Sequence, residues 1–508
     1  MSRFEKNIKN AKVGLFFFIV GTFLSFFSRN FFLTHLGDNF NGLVSTITAI
    51  IGILGIAELG IATSISYKLY EPLYANNHRQ INNIISIIGI LYKKVGFFIL
   101  GLGILISLVI PFYFDNKDYS YPSIYFIFYI YLIISLLNYW FNYSKILLIS
   151  DQKNYLLQGY IQGANYLKII TQILCLYFYN NFIIWVFLEL IFAIGLSIAL
   201  HFLVKKQYPW LVIDKKLNIF ESEDYQSIKI KTKQVFVHRL SGYMLTSTDS
   251  ILIGLFENLS KVTYFLNYNI MIQSVLLFLN MVFSNISSSI GNLIIEKDTL
   301  KSIEVLKEIM LIRFFIAIYT SIMLYFCFDT IILLWLKEQK YILESTTVLL
   351  IITNFFIMQI RTPVESFING FGLFEDIWAP LTEFLINLVF SIVLGYYFGI
   401  NGILFSTLIS MFLIVVIWKP IFLFKKGFNQ SVKLYWLYSF KLIFPFPILY
   451  FVVSLIKFSS TKNNLLFQFL INASLYSLII LIPLVLYYYL FFPAFKITLN
   501  RIKFQYFK

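Results

Sequence analysis

Ionisable side chains stand inside several long apolar runs of this 508-residue sequence, and nine of them are where its chemistry has to be sought: Arg29, Glu58, Lys168, Glu189, Arg239, Asp249, Arg361, Glu365 and Glu383. An ionised group at the centre of a bilayer costs about 2.5–3.5 kcal/mol, so such residues line wet cavities, pair with one another, or reach for an interface. Arginine offers planar, permanently charged donors suited to phosphate oxygens. Arg29 stands in the outer half of the first apolar run, and reads either as a cavity cation or as a side chain reaching the outer interface. Arg239, six residues into the seventh run, has the same two readings toward the inner interface. Lys168 is near the middle of the fifth run, where neither interface is close, and suits either a carboxylate partner or a substrate contact. Arg361 and Glu365 are four residues apart and share a helix face, the spacing of an internal ion pair. Asp249 sits among Thr246, Ser247, Thr248 and Ser250, a stretch suited to a coupling ion or to structural hydrogen bonding. Glu58 lies in GIAELGIATS, whose small residues permit close helix packing. Glu189 and Glu383 give weaker signals. Arg313 and Lys441 fall near cytoplasmic ends and read as snorkelling side chains.

Other chemistry finds little material. The four His form no His-x-x-x-His pair, and Cys175 and Cys327 are isolated in apolar surroundings. Neither set has metal-ligand spacing, so no metal and no organic cofactor is expected.

The elements that position these residues follow from composition. Hydrophobic residues make up 59% of the chain and charged ones 13%, against roughly 45–50% and about 25% in soluble domains. A soluble globule could not cover such a surface, and disorder is excluded by the same contrast. Spanning needs about 20 apolar residues, and fourteen runs qualify: 13–34, 40–66, 95–113, 122–147, 156–178, 182–203, 234–256, 262–290, 309–336, 343–372, 378–399, 402–424, 437–457 and 465–492. Residues 77–94 repeat apolar side chains at helical spacing and read as an amphipathic surface helix before the third span. With the N-terminus inside, and with Lys145, Lys419 and Lys457 near span ends counted with the adjoining segments, 28 of the 40 Lys and Arg fall in inside segments, six outside and six within spans. This bias places both termini in the cytoplasm and accounts for most of the +15 net charge without nucleic acid.

The connection 204–233, rich in both signs, reads as a linker between residues 1–203 (spans 1–6) and 234–424 (spans 7–12), followed by 425–508 (spans 13 and 14 and a cytoplasmic tail). A weak repeat supports the division. Leu36-Gly-Asp-Asn-Phe-Asn41 answers Leu255-Phe-Glu-Asn-Leu-Ser260, and Asn180-Asn-Phe-Ile183 answers Ile400-Asn-Gly-Ile403. Six spans per repeat leave two lobes in one orientation, related by a pseudo-two-fold axis along the membrane normal. The expected fold is an all-α polytopic membrane protein of about 14 transmembrane helices, two six-helix lobes plus two C-terminal helices. No long outside loop carries a catalytic set, so an enzyme is not expected.

Several of these stretches resemble one family. Arg29-Asn-Phe-Phe-Leu-Thr-His-Leu-Gly37, continuing to Gly42-Leu43, is similar to the span 1–2 signature of Wzx-type flippases of O-antigen or capsule repeat units. Ala57-Glu-Leu-Gly-Ile-Ala62, Leu73 after Tyr70-Glu-Pro72, and Ser247-Thr-Asp249 also resemble that family, which belongs to the multidrug/oligosaccharidyl-lipid/polysaccharide exporter superfamily. The resemblance implies transfer of a polyprenyl-pyrophosphate-linked oligosaccharide from the inner to the outer leaflet of a bacterial cell (inner) membrane by alternating access, coupled to H⁺ or Na⁺. It implies a cationic cavity, for which Arg29, Lys168, Arg239 and Arg361 are the substrate-binding candidates. Asp249, Glu365 and Glu58 are the ion-coupling candidates. Partners would be the lipid-linked oligosaccharide, the bilayer, and a polysaccharide polymerase with its chain-length machinery. Arg29 also resembles the span 1 Arg of lipid II flippases, but Asn39 or Asn41 stands near that group's Asp. A drug/cation antiporter of the same superfamily, or a membrane polysaccharide polymerase, is the alternative.

Overall fold

The structure, a computed structural model, describes residues 3–58, 60–114, 118–214, 225–229, 232, 248–283, 290, 293, 294, 296, 298–373, 375, 376, 378–456 and 465–496. Every regular element among them is helical. The chain divides into two compact units, Met1–Thr263 and Tyr264–Lys508.

The first unit contains α1 (Arg3–Leu36), α2 (Asp38–Leu54), α3 (Ile61–Tyr74), α4 (His78–Ser107), α5 (Tyr121–Trp140), α6 (Asn154–Tyr179), α7 (Phe182–Gln207) and a helical segment at 248–256. α1 packs on α6, α6 on α7, and α4 on α5. The core is aliphatic and aromatic, with Phe40, Leu43, Ile47, Ile99 and Phe128 buried. Phe16, Phe23 and Phe27 of α1 are exposed, as expected of a surface whose solvent is hydrocarbon.

Two expectations need correction here. Residues 77–94 do not form a separate surface helix. Asn77 caps α4, its side chain accepting from Gln80 N at 3.1 Å, and the helix runs unbroken into the third span. Ile81, Ile84, Ile85, Ile87 and Ile88 are buried in the core, so their helical spacing marks an inner face and not a lipid-facing one. The second span, expected as one run over 40–66, is broken. α2 stops at Leu54, a 3₁₀ turn covers Gly55–Glu58, and α3 starts after Gly60, whose φ of 91° only glycine adopts without strain.

After α7 the chain turns back along α4. Tyr208 donates to Asp151 Oδ2 at 2.8 Å. Burial, and then the Asp151 carboxylate, pushes this phenol up, so it remains a donor. Val212 N donates to Asn82 Oδ1 and Asp214 N to Ser86 Oγ.

α8 (Leu259–Phe283) begins in the first unit and continues into the second, so the boundary between units falls inside a helix. The second unit adds α9 (Thr299–Leu336), α10 (Ser345–Phe371), α11 (Trp378–Met411), α12 (Lys433–Ile443), α13 (Pro445–Ser454) and α14 (Leu465–Phe491). α11 is two helices: Gly399, at φ 56° and ψ −136°, reverses the chain. The return is so tight that a Cβ on Gly402 would lie 2.0 Å from the Leu394 carbonyl oxygen. A π-helical stretch, Phe412–Trp418, prolongs the second of these. The last helices pack on α9, where Tyr319 and Ser477 share a 2.8 Å hydrogen bond. Ten helical stretches of the described residues are long and apolar enough to cross a membrane, and the one containing Gly399, being two helices, has the length for two crossings. With the shorter α2–α3 pair, the less apolar α6 and the partly described seventh span, they match the expected all-α polytopic fold.

Candidate functional site

The intramembrane charges fall into separate clusters. In the first unit, Arg29 of α1 is half-buried and faces the turn that opens α2. Its Nη1 donates to Asn41 Oδ1 at 3.2 Å and its Nη2 to the Thr263 carbonyl at 3.5 Å. The surroundings are tightly built. Asn41 Nδ2 donates to the Gly37 carbonyl, Thr263 Oγ1 to the Asp38 carbonyl at 2.7 Å, and Ser260 Oγ to Asn39 Oδ1. The two turns that the sequence repeat pairs, 36–41 and 255–260, are therefore bonded through Asn39 and Ser260. A Cβ on Gly42 would stand 1.9 Å from the Leu259 carbonyl oxygen, so only glycine fits this approach.

Lys168 of α6 meets Glu189 of α7 at 2.8 Å, and Gln172 Nε2 donates to the other oxygen of that carboxylate at 2.9 Å. Both charges are largely buried, with side-chain exposures of 19% and 13%. One of the weaker carboxylates of the sequence thus holds the Lys168 ammonium.

Glu58 stands at the break in the second span, where Tyr92 of α4 donates to its Oε1 at 2.5 Å. Beside it is a cavity of about 400 Å³, lined with Thr48, Gly55, Gly60, Thr63, Tyr131, Ser135, Asn138 and Tyr139. Lys145 Nζ donates to Asn138 Oδ1 at 3.2 Å. Irregular backbone at membrane depth is tolerated where it lines such a cavity. This site can hold a cation against Glu58 or a small polar group among the hydroxyls.

Asp249 is buried in the 248–256 helix, and its Oδ1 has no hydrogen-bond partner among the described residues. Arg239, Thr246 and Ser247 lie outside the described residues.

The second unit holds the densest cluster. Arg361 of α10 donates to Glu365 Oε1 from Nε at 2.9 Å and from Nη2 at 2.5 Å. Its Nη1 is 4.0 Å from Glu383 Oε1 of α11, a buried carboxylate. Lys419 meets Asp376 at 2.8 Å, both largely buried, and acts electrostatically on Glu383 too. Two cations face three carboxylates, an excess of one negative charge when all are ionised. Nearby on α11, Asn387 donates to Thr407 at 2.9 Å and Ser391 pairs with Ser406 across the Gly399 reversal.

Arg313 does not snorkel. It is buried, donates to Gln359 Oε1 at 3.2 Å, and lies 4.0 Å from the Phe283 ring centroid, a cation–π contact. A residue near the end of an expected span can still face the bundle, and sequence position alone does not say which way it turns. Sequence reading also missed Tyr92 and the Asp376–Lys419 pair. Tyr92 had no signal beyond its place in a helix, and Asp376 lay between expected spans.

No protein-family model matches this sequence, and no curated protein sequence does. Solved structures do match in fold. One is the lipid II flippase MurJ in an inward closed conformation, at a TM-score of 0.68 and 15% identity, covering 95% of this chain and 99% of that one. Another is a multidrug resistance MATE family transporter of the MOP superfamily in an inward-facing conformation, at 0.62 and 14%, covering 81% and 97%. At these identities the likeness is one of fold: this chain has the polytopic helical architecture of that flippase and that transporter over most of its length.

Proposed function

We propose that this chain is a flippase that carries a polyprenyl-pyrophosphate-linked oligosaccharide from the inner to the outer leaflet of a bacterial cell membrane, for surface polysaccharide synthesis. The observation that carries the reading is the half-buried Arg29 guanidinium at the turn that opens α2, where it donates to Asn41 Oδ1 and to the Thr263 carbonyl. A pyrophosphate can compete for such donors, because its anionic oxygens add ion pairing and a bidentate fit that an amide or carbonyl oxygen does not offer. The likeness in fold to a lipid II flippase supports a lipid-linked substrate. Lys168, Arg239 and Arg361 remain the further candidates for the headgroup, with Lys168 and Arg361 giving up carboxylate partners when they engage it.

Coupling to H⁺ or Na⁺ falls to the Arg361–Glu365–Glu383–Lys419–Asp376 cluster, whose excess negative charge one cation neutralises. Glu58 and Asp249 are the coupling candidates of the first unit. The Glu58 cavity, a carboxylate among hydroxyls, also favours a second reading as a drug/cation antiporter.

The test is leaflet exposure of the lipid-linked oligosaccharide in cells with and without the gene, by labelling outer-leaflet sugars. Deletion is expected to leave the substrate on the inner face. Wild type restores exposure, and Arg29→Ala at equal membrane levels does not. Arg29→Lys restores less than about a tenth, since an ammonium cannot reproduce the guanidinium fork. Unchanged leaflet pools on deletion would exclude the flippase and leave the antiporter.

A further inference from the structure

A second cavity in the first unit, of about 420 Å³, has no part in the polar clusters described above. It opens between α4 and the end of α5, and Ser86, Gly89, Lys93, Phe97, Trp140 and Tyr143 line it. Ile213 and Asp214, of the segment that follows α7, close one side, with Asp214 N fixed on Ser86 Oγ at 2.8 Å. Glycines make the room. A Cβ on Gly96 would lie 2.2 Å from Trp140 Nε1, and one on Gly89 3.1 Å from the Tyr143 ring.

Its position along α4 is informative. One face of α4 is buried along its length, from Ile81 to Ile99, while the opposite face is exposed at Lys93 and Lys94 and, one turn later, at Phe97 and Phe98, which are 56% and 57% exposed. Lys93 therefore stands where the exposed face of α4 changes from charged to apolar. The bias of Lys and Arg toward inside segments puts this level at the inner-leaflet interface. Trp140, ending α5 at the same cavity, is a residue type that favours that depth.

Lys93 and the Tyr143 hydroxyl have no hydrogen-bond or ion-pair partner among the described residues, and both border a cavity whose other lining is largely apolar, Asp214 being its acidic residue, held there through its own backbone N–H on Ser86. An exposed ammonium, a phenol donor and an aromatic wall, at headgroup depth, complement a phosphodiester joined to acyl chains.

We propose that this cavity is a binding site for an anionic phospholipid of the inner leaflet. The phosphate meets Lys93 Nζ and the Tyr143 hydroxyl, and an acyl chain runs along Phe97 and the Trp140 ring. The site is independent of the transported substrate.

Native mass spectrometry of the purified full chain, titrated with phosphatidylglycerol or phosphatidylcholine, tests it. Wild type is expected to bind one phosphatidylglycerol more tightly than any phosphatidylcholine. Lys93→Glu weakens that step about tenfold, and Tyr143→Phe weakens it less. Lys205→Glu, at an exposed lysine ending α7, leaves it unchanged. Both lysines are on the surface, so neither variant endangers folding. Equal binding of the two lipids by wild type overturns the proposal. So does unchanged binding by Lys93→Glu, a loss as large in Lys205→Glu, or displacement of the lipid by inorganic phosphate.

Discussion

Arg361 has one guanidinium to divide between Glu365 on its own helix and Glu383 on the next. Removing one partner of a buried ion pair costs about 3–5 kcal/mol, because the other charge stays buried and uncompensated. Arg361 and Glu365 are only half-buried and Lys419 also acts on the buried Glu383, so Arg361→Ala is expected to lower stability by less than that amount, read as a fall in thermal unfolding temperature of the purified protein. Adding Glu383→Gln should recover part of the loss, and no recovery would mean that Glu383 does not depend on Arg361. The Arg361–Glu365 pair was legible in the sequence, since a spacing of four is enough to place two side chains on one helix face. Lys168 with Glu189 was legible only in part. Each residue stood out as an unpaired charge in an apolar run, but 21 residues and a helix reversal separate them, and no local rule joins such positions. Arg313 was misread for the same reason: its partners, Gln359 and Phe283, come from other helices.

Glycine decides the shape of several elements. Gly399 and Gly402 form the reversal that makes two helices of α11, and Gly42 lets α2 approach the start of α8. Alanine at Gly42 or Gly402 puts a Cβ within about 2 Å of a carbonyl oxygen, which no side-chain rotation can relieve. Both variants are expected to yield little folded protein by size-exclusion chromatography in detergent, whereas alanine at Gly101, with open space around it, behaves as wild type. Apolar length predicted the spans well, because hydrocarbon imposes a length on any helix that crosses it. It could not show where a span is broken. The sequence Gly55-Ile-Ala-Glu58-Leu-Gly60 carried the signal, two glycines flanking a carboxylate, but small residues also mark close helix packing. The extent of α4 was hidden differently: an amphipathic stripe looks alike whether its apolar face meets lipid or a protein core.

For the whole chain, the distribution of Lys and Arg makes a prediction of its own. Single cysteines at residues 2 and 508, in a background without Cys175 and Cys327, are expected to resist a membrane-impermeant maleimide in intact cells. They should react once the cells are opened, and labelling of either in intact cells contradicts two cytoplasmic ends. The order of helices also bears on how the chain is made. α2 has 17 residues and α3 has 14, about 26 Å and about 21 Å of helix, each short of a hydrocarbon core of about 30 Å. Neither half can complete a crossing by itself as it leaves the ribosome. The pair must enter together with Glu58 and an open turn between them, and the Tyr92 hydroxyl that meets Glu58 is 34 residues further on. At ordinary rates of synthesis that interval is roughly 2–7 s. Biogenesis of the first unit is thus committed at its third crossing, and until α4 arrives the nascent second span depends on the translocon or an insertase for shelter.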